Sequence, residues 1–185
     1  VPTSVIRRLR LDKAVREAYS KQYWRCVIHL AAPCPIPGKE QMIAWWGPVI
    51  QEMYGGTEAV SHTFINSDQW LAHKGSVGLP AKGCEIRIIA EDGRDLGANA
   101  IGTIYMRNGN QFEYHGDSDK TRGVFIDGGW ATLGGIGFLD DDGYLYLTDR
   151  KGHMIISGWV NIYPQEAVNI LYGHPQIAVV AVIGV

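Results

Sequence analysis

Two Asp-Gly pairs, Asp92-Gly93 and Asp142-Gly143, each stand between short runs in which apolar and polar residues alternate. A period of two marks half-buried strands, and Asp-Gly supplies the tight turn that folds one strand back on another. "CEIRIIAEDGRDL" and "GFLDDDGYLYLTD" therefore read as hairpins, with "GTIYMRN" as a strand between them. From Gly75 onward the chain is committed to a β-rich subdomain. The stretch before it follows another pattern. Leu11 to Gln22 reads as a helix with Asp12 as its N-cap, and "YWRCVIHLA" as a strand. The three prolines of "PCPIPG" break regular structure, Lys39 to Trp46 is helix again up to Gly47-Pro48, and "VIQEMY" is a strand. Helix alternating with strand is the pattern of a layered α/β lobe. Near the end, "HMIISGWVNI" reads as strand and loop, Tyr163 to Tyr172 as a helix with Pro164 in its first turn, and "IAVVAVIGV" (177–185) as a buried strand. The expected class is α/β (α+β): a layered α/β lobe, a β-rich subdomain, then the beginning of a small α+β C-terminal domain. The polar, glycine-containing joint Asp149-Arg150-Lys151-Gly152 sets the expected division into residues 1–149 and 150–185.

Composition excludes several classes. At 46% hydrophobic and 19% charged the chain has an ordinary globular balance, and a formal net charge of −2 gives no pull toward nucleic acid or an anionic membrane. The nine apolar residues at the end are too few to span a bilayer, and no basic-then-apolar leader opens the sequence. Opening on "VPTSV" without Met and stopping inside an apolar strand, the sequence is expected to be a fragment. Cys26, Cys34 and Cys84 form no paired framework, which points to a reducing, cytoplasmic setting. Cys26, His29 and Cys34 lie close in sequence, but their spacing matches no zinc pattern, and a small apolar cysteine in a core is the better reading.

Chemistry concentrates in "MYGGTEAV", Met53 to Val60. Read alone, Gly-Gly followed by Thr and Glu is an ordinary turn before a helix. The functional alternative is a backbone without side chains against which a flat ligand lies, with Tyr54 as stacking face, Thr57 as hydrogen-bond donor to an oxyanion and Glu58 as an oxygen ligand for Mg²⁺. Its neighbours decide between them. "HLAAPCP" (29–35), "YGGTE" (54–58), "GSVGLP" (75–80), "FEYHGDSDKT" (112–121), "GWATLGGIGFLDDDGYLYLTDRKGHMIISG" (129–158) and "NIYPQEAV" (161–168) occur in one order along the chain. Together they resemble the adenylate-forming superfamily, on its acyl-CoA synthetase, or fatty-acid–CoA ligase, branch.

The resemblance implies a two-step reaction with ATP, Mg²⁺ and CoA. A carboxylate attacks the α-phosphate of ATP, giving an acyl-adenylate and pyrophosphate; the CoA thiol then displaces AMP. It implies Thr57 and Glu58 as catalytic residues, Glu58 also as the metal ligand. Ala31, Ala32, Pro33, Tyr54, Gly55, Gly56, Thr57, Gly135 and Arg150 are implied in nucleotide binding. Gly152 takes the hinge position, and Ser157, Gly158 and Trp159 the CoA tunnel. The substrate implied is a small carboxylic acid, fatty or otherwise apolar. A Ser/Thr/Gly-rich phosphate loop and a lysine that belong to this machinery have no counterpart here, so the 185 residues alone are expected to be inactive.

Three positions depart from the pattern. Relatives read Thr-x-Gly-Asp where this chain has Thr132-Leu133-Gly134-Gly135, and that aspartate accepts both ribose hydroxyls. Two lost hydrogen bonds to a charged group, about 1.5–3 kcal/mol each, amount to a hundredfold or more in affinity. Asp140, Asp141 and Asp142 belong to the hairpin turn and are poor substitutes. Gly152 replaces a Lys or Asp, and Trp159 a glycine in the loop of the CoA tunnel, which an indole would narrow; Leu30 in place of Gly is milder. These losses keep a noncatalytic, degenerate homologue as the alternative. Trp45, Trp46 and Met53 are candidates for an acyl pocket, although apolar residues at such spacing are more often core.

Overall fold

The computed structural model describes residues 8–18, 23–32, 34–150, 155–157, 160–172, 174, 176–177 and 180–184. Its elements are α1 (Lys13–Ala18), β1 (Val27–His29), α2 (Ile36–Trp46), β2 (Ile50–Gly55), β3 (His62–Asn66), α3 (Ser67–Ala72), β4 (Ser76–Pro80), β5 (Glu85–Ile89), β6 (Gly102–Arg107), α4 (Ser118–Val124), β7 (Phe125–Ile126), β8 (Trp130–Leu139), β9 (Leu145–Arg150), β10 (Ile155–Ser157), β11 (Val160–Ile162) and α5 (Pro164–Tyr172). One mixed sheet of nine strands runs in the order β1-β2-β3-β4-β9-β8-β6-β5, with β7 paired to β8. β1 and β2 are parallel and the remaining pairs antiparallel. β4 bonds β3 on one side and β9 on the other, so the α/β lobe and the β-rich region share a continuous sheet.

Local rules account for most boundaries. In α1 the Asp12 carbonyl accepts the Arg16 N–H at 3.0 Å, as an N-cap residue's does; residues 19–22 of the expected helix lie outside the described ones. α2 begins earlier than the prolines suggest. Pro35 is its N-cap and Pro37 its second residue, where a missing N–H has no helical acceptor to lose. α3 opens with a reciprocal box in which Asn66 Oδ1 accepts the Gln69 N–H at 2.9 Å and Gln69 Oε1 accepts the Asn66 N–H at 3.1 Å.

The two Asp-Gly turns behave differently. Asp142-Gly143 joins β8 to β9 as expected, from Leu139 opposite Leu145 to Gly135 opposite Arg150. Asp140 stiffens this turn by accepting the N–H groups of Asp142 (3.0 Å) and Tyr144 (2.8 Å). Asp92-Gly93 also turns the chain, but the returning arm pairs with β5 only at a bridge, Ile89 to Asp95. That arm, "RDLG", offers one apolar residue, whereas β6 brings Ile104 and Met106 into the core; β5 therefore pairs with β6, Glu85 opposite Arg107.

β10 and β11 form a small antiparallel hairpin, Ile155 opposite Ile162, and α5 follows where the sequence placed it. In the terminal run, none of the described residues from Ile177 to Gly184 is paired in a ladder, and Ile183 is 76% exposed. An apolar run becomes a strand only against a partner edge. Asp149 and Arg150, the first half of the expected joint, complete β9, while Lys151 and Gly152 lie outside the described residues. Among the described residues no helix is long and apolar enough to cross a membrane.

Two clusters make the core. Val60, Val77, Ile88, Ile104, Met106, Ala131 and Leu145 pack on one side of the β-rich region. Met42, Ile43, Ile50, Ile65, Trp70 and Tyr144 pack between α2, α3 and the other half of the sheet, and Trp45 and Trp46 pack against them. Those two indoles are half-buried against the cluster; Trp46 also meets Trp24 edge-on at 4.8 Å.

Candidate functional site at the carboxyl end of β2

Parallel pairing of β1 with β2, His29 opposite Glu52, brings the carboxyl ends of both strands to one edge of the sheet. Ala31 and Ala32 leave β1 there, Ala31 with φ 73°, and Tyr54-Gly55 leave β2; Pro33 lies outside the described residues. Ligands of open α/β sheets bind at such edges. The strand ends are fixed from below by buried charge. Lys39 of α2 bonds Glu52, His29 Nδ1 lies 3.3 Å from Glu52 Oε1, and the Lys39 ammonium sits 4.6 Å over the Trp70 ring. Burial pushes the Glu52 carboxyl up, but His29 and Lys39 beside it outweigh that and hold it below the ordinary value. Burial also raises the Cys34 thiol to about 11, with Glu52 adding to it, so the thiol stays protonated at neutral pH.

The loop after β2 is a tight turn. The Ala59 N–H bonds the Gly56 carbonyl at 3.1 Å, and Ala59 itself has φ 54°. A Cβ on Gly56 would collide with Glu58 Oε2 and come within 2.9 Å of Leu133 Cδ1, so the carboxylate lies over a floor that only glycine leaves open. Thr57 is exposed and Glu58 half-buried. Three side chains from the segment after β6 reach back to this turn. Tyr114 Oη donates to Glu58 Oε1 at 3.1 Å, and the Asn108 and Asn110 amides donate to the Ala59 carbonyl at 2.9 and 3.3 Å. Burial, then Glu58, raises the Tyr114 phenol above its ordinary value. None of the three was assigned a role from the sequence. They stand about fifty positions from the loop, and only the motif "FEYHGDSDKT" marked the neighbourhood.

The opposite wall is β8. Gly135 is buried and pairs with Arg150. A Cβ at Gly135 would stand 2.7 Å from Tyr54 Oη and 3.3 Å from Ile104 Cδ1. The Tyr54 hydroxyl fills that space, and any side chain at this position requires Tyr54 to turn away. Asp140 offers no replacement, since its carboxylate already accepts two backbone N–H groups and lies 3.1 Å from His73 Nδ1. Ser157 ends β10; Gly158 and Trp159 lie outside the described residues.

The donors suit a hard cation shared with a phosphate ligand. Among the described residues no group of three His, Cys, Asp or Glu side chains is placed to hold a metal. Mg²⁺ is commonly held by one or two carboxylates together with ligand phosphates and water, and Glu58 offers Oε2 for that purpose over the bare Gly56 backbone.

The 2-succinylbenzoate–CoA ligase of Bacillus cytotoxicus is 35% identical over 176 residues, covering 94% of this chain and 36% of that protein. Among solved structures, an amide bond synthetase from Marinactinospora thermotolerans matches all of this chain and 38% of its own, with TM-score 0.86 and 26% identity. The o-succinylbenzoate CoA synthetase of Bacillus subtilis, in complex with its acyl-adenylate intermediate, matches 87% of this chain and 33% of its own, with TM-score 0.79 and 32% identity; that synthetase has also been solved with ATP and magnesium ion. The chain thus spans little more than a third of the length of these relatives. A profile described as AMP-binding enzyme matches residues 1–113, more than half of the sequence, and the chain belongs to the AMP-binding enzyme family.

Proposed function

We propose that this chain is part of an ATP-dependent acid–thiol ligase, contributing the Tyr54–Ala59 loop and the sheet that carries it. Residues 1–149 form the C-terminal part of the large AMP-binding domain, and 150–185 the hinge and start of the small one. The observation that carries the reading is the Glu58 carboxylate, held by Tyr114 over a floor without side chains at the carboxyl end of β2. In the reaction, a substrate carboxylate attacks the α-phosphorus of ATP and pyrophosphate leaves; the CoA sulfur then attacks the acyl carbon and AMP leaves. An anion approaching a polyanion needs fixed positive charge to offset the repulsion. A magnesium ion held by Glu58 and the phosphates would supply it. Thr57 donates to a phosphate oxygen, Tyr54 offers its ring to adenine, and Ala31, Ala32, Pro33, Gly55 and Gly56 give the close backbone walls. Arg150 is assigned to ribose and phosphate, Gly152 to the pivot, and Ser157, Gly158 and Trp159 to the path of the thiol. The acid is 2-succinylbenzoate, as in the named relatives, or a fatty or other apolar acid. Three cysteines, all free, suit the cytoplasm.

Acid-dependent ATP–pyrophosphate exchange by the full-length protein, followed by CoA thioester formation, tests the proposal with both acid classes. Exchange and thioester with one of them is expected, and the 185 residues alone are expected to show neither. A second reading, a noncatalytic nucleotide-binding homologue, is favoured by Gly135, which presents no carboxylate to a ribose. ATP binding without exchange for any acid would select it.

A further inference from the structure

Glu58 is the half-buried carboxylate of the loop, and one of its oxygens is already engaged. Tyr114 Oη reaches Glu58 Oε1 across a gap of 56 positions, while Oε2 stays over Gly56. The same segment holds the next residue of the loop, because the Asn108 and Asn110 amides both donate to the Ala59 carbonyl. Tyr114 is itself placed by contacts that do not involve its hydroxyl. Its ring meets Phe112 edge-on at 5.3 Å, Lys120 Nζ lies 4.0 Å over its face, and its backbone N–H bonds Thr121 Oγ1 at 2.9 Å. The hydroxyl therefore arrives at the carboxylate from a fixed support, and the carboxylate is left with one free oxygen in one orientation.

We propose that Tyr114 is a positioning residue for a divalent cation shared with a nucleoside triphosphate: its hydroxyl fixes Glu58 Oε1 so that Oε2 is presented as a single ligand, while Asn108 and Asn110 hold the turn beneath. The assignment rests on the functional reading above. A glutamate side chain is rich in rotamers, and ordering it when the cation binds costs free energy that a preformed hydrogen bond removes in advance. The bond is to a charged acceptor, so it belongs to the stronger class.

Tyr114→Phe removes the hydroxyl and keeps the ring with its Phe112 and Lys120 contacts. ATP is titrated calorimetrically into the full-length protein with and without Mg²⁺, for wild type, Tyr114→Phe and Tyr114→Leu. In wild type, Mg²⁺ tightens ATP binding. In Tyr114→Phe that metal-dependent gain falls by about tenfold, the weight of one charge-assisted hydrogen bond, while metal-free ATP binding stays unchanged. Tyr114→Leu is expected to lose at least as much. An undiminished gain in Tyr114→Phe, equal weakening with and without Mg²⁺, or a thermal midpoint well below wild type would overturn the positioning role. Loss confined to Tyr114→Leu would also overturn it, by assigning the effect to ring packing. Wild type showing no Mg²⁺-dependent gain would overturn the functional reading and this assignment together.

Discussion

Around β1, β2 and α2 the interior holds His29, Lys39 and Glu52, each less than 8% exposed; in the cluster around β6 and β8 the buried members are Val, Ile, Met, Ala and Leu, and the buried polar side chains that bond to it, Thr63 and Ser76, are uncharged. Buried charge is tolerable only when it is paired, and its removal on one side leaves the other uncompensated. The apolar cluster has no such constraint beyond volume and shape. The charged group sits under the strand that ends in the Tyr54–Ala59 loop, with Glu52 two residues before Tyr54 and on the same side of β2. What the difference teaches is a division of labour. The apolar half holds the sheet together, and the ionic half fixes where β1, β2 and α2 meet at the ligand edge.

The largest expected effect breaks the ionic half with one substitution. Lys39→Met leaves the buried Glu52 with His29 as its remaining close partner, and should cost up to about 3–5 kcal/mol in urea unfolding. Glu52→Gln added to it should recover most of that loss, so the double-mutant cycle is strongly non-additive; additive costs would mean that the pair is not a unit. The pair also carries a pH signature. Because the folded Glu52 carboxyl is held below its ordinary value of 4.5, the stability it contributes is present above that pH and fades as pH falls toward the folded value. The double variant should lose less stability than wild type on acidification.

A smaller effect is expected where the halves meet. Tyr54 reaches from β2 to fill the space at Gly135 on β8, so Gly135→Ala should cost about 1–3 kcal/mol by overpacking, or displace the Tyr54 ring. A crystal structure of the variant with Tyr54 unmoved and stability unchanged would contradict that contact. The smallest effect belongs to the apolar half. Ile104→Val should cost about 0.5–1.5 kcal/mol, with no dependence on pH between 7 and 4. A pH-dependent cost there would erase the distinction between the halves.

How much of this the sequence disclosed follows the range of each interaction. The Asp142-Gly143 hairpin, the α5 helix and the placing of the glycine loop at the end of β2 rest on nearby residues and were legible. The start of α2 was not, because Pro35 and Pro37 read as breakers until their places at the N-cap and first turn are known. The partner of β5 was misjudged because a turn signal says where the chain reverses and not which strand wins the edge. The ionic group joins residues 29, 39 and 52 from three elements, and Tyr114 meets Glu58 from 56 positions away. The Tyr54–Gly135 contact pairs the absence of a side chain on one strand with a ring from another. No periodicity records such meetings, so the motif residues were nameable while their supports were not.

ATP binding by the full-length protein, wild type against Glu58→Gln, with and without Mg²⁺, tests most directly that the loop after β2 is a nucleotide–metal site. Glutamine keeps the shape and the Tyr114 contact but lowers the ligand charge. In wild type, Mg²⁺ should tighten ATP binding, and in Glu58→Gln most of that gain should vanish while metal-free ATP binds as before. A metal-dependent gain that is intact in the variant, or that is absent from wild type, would contradict the account.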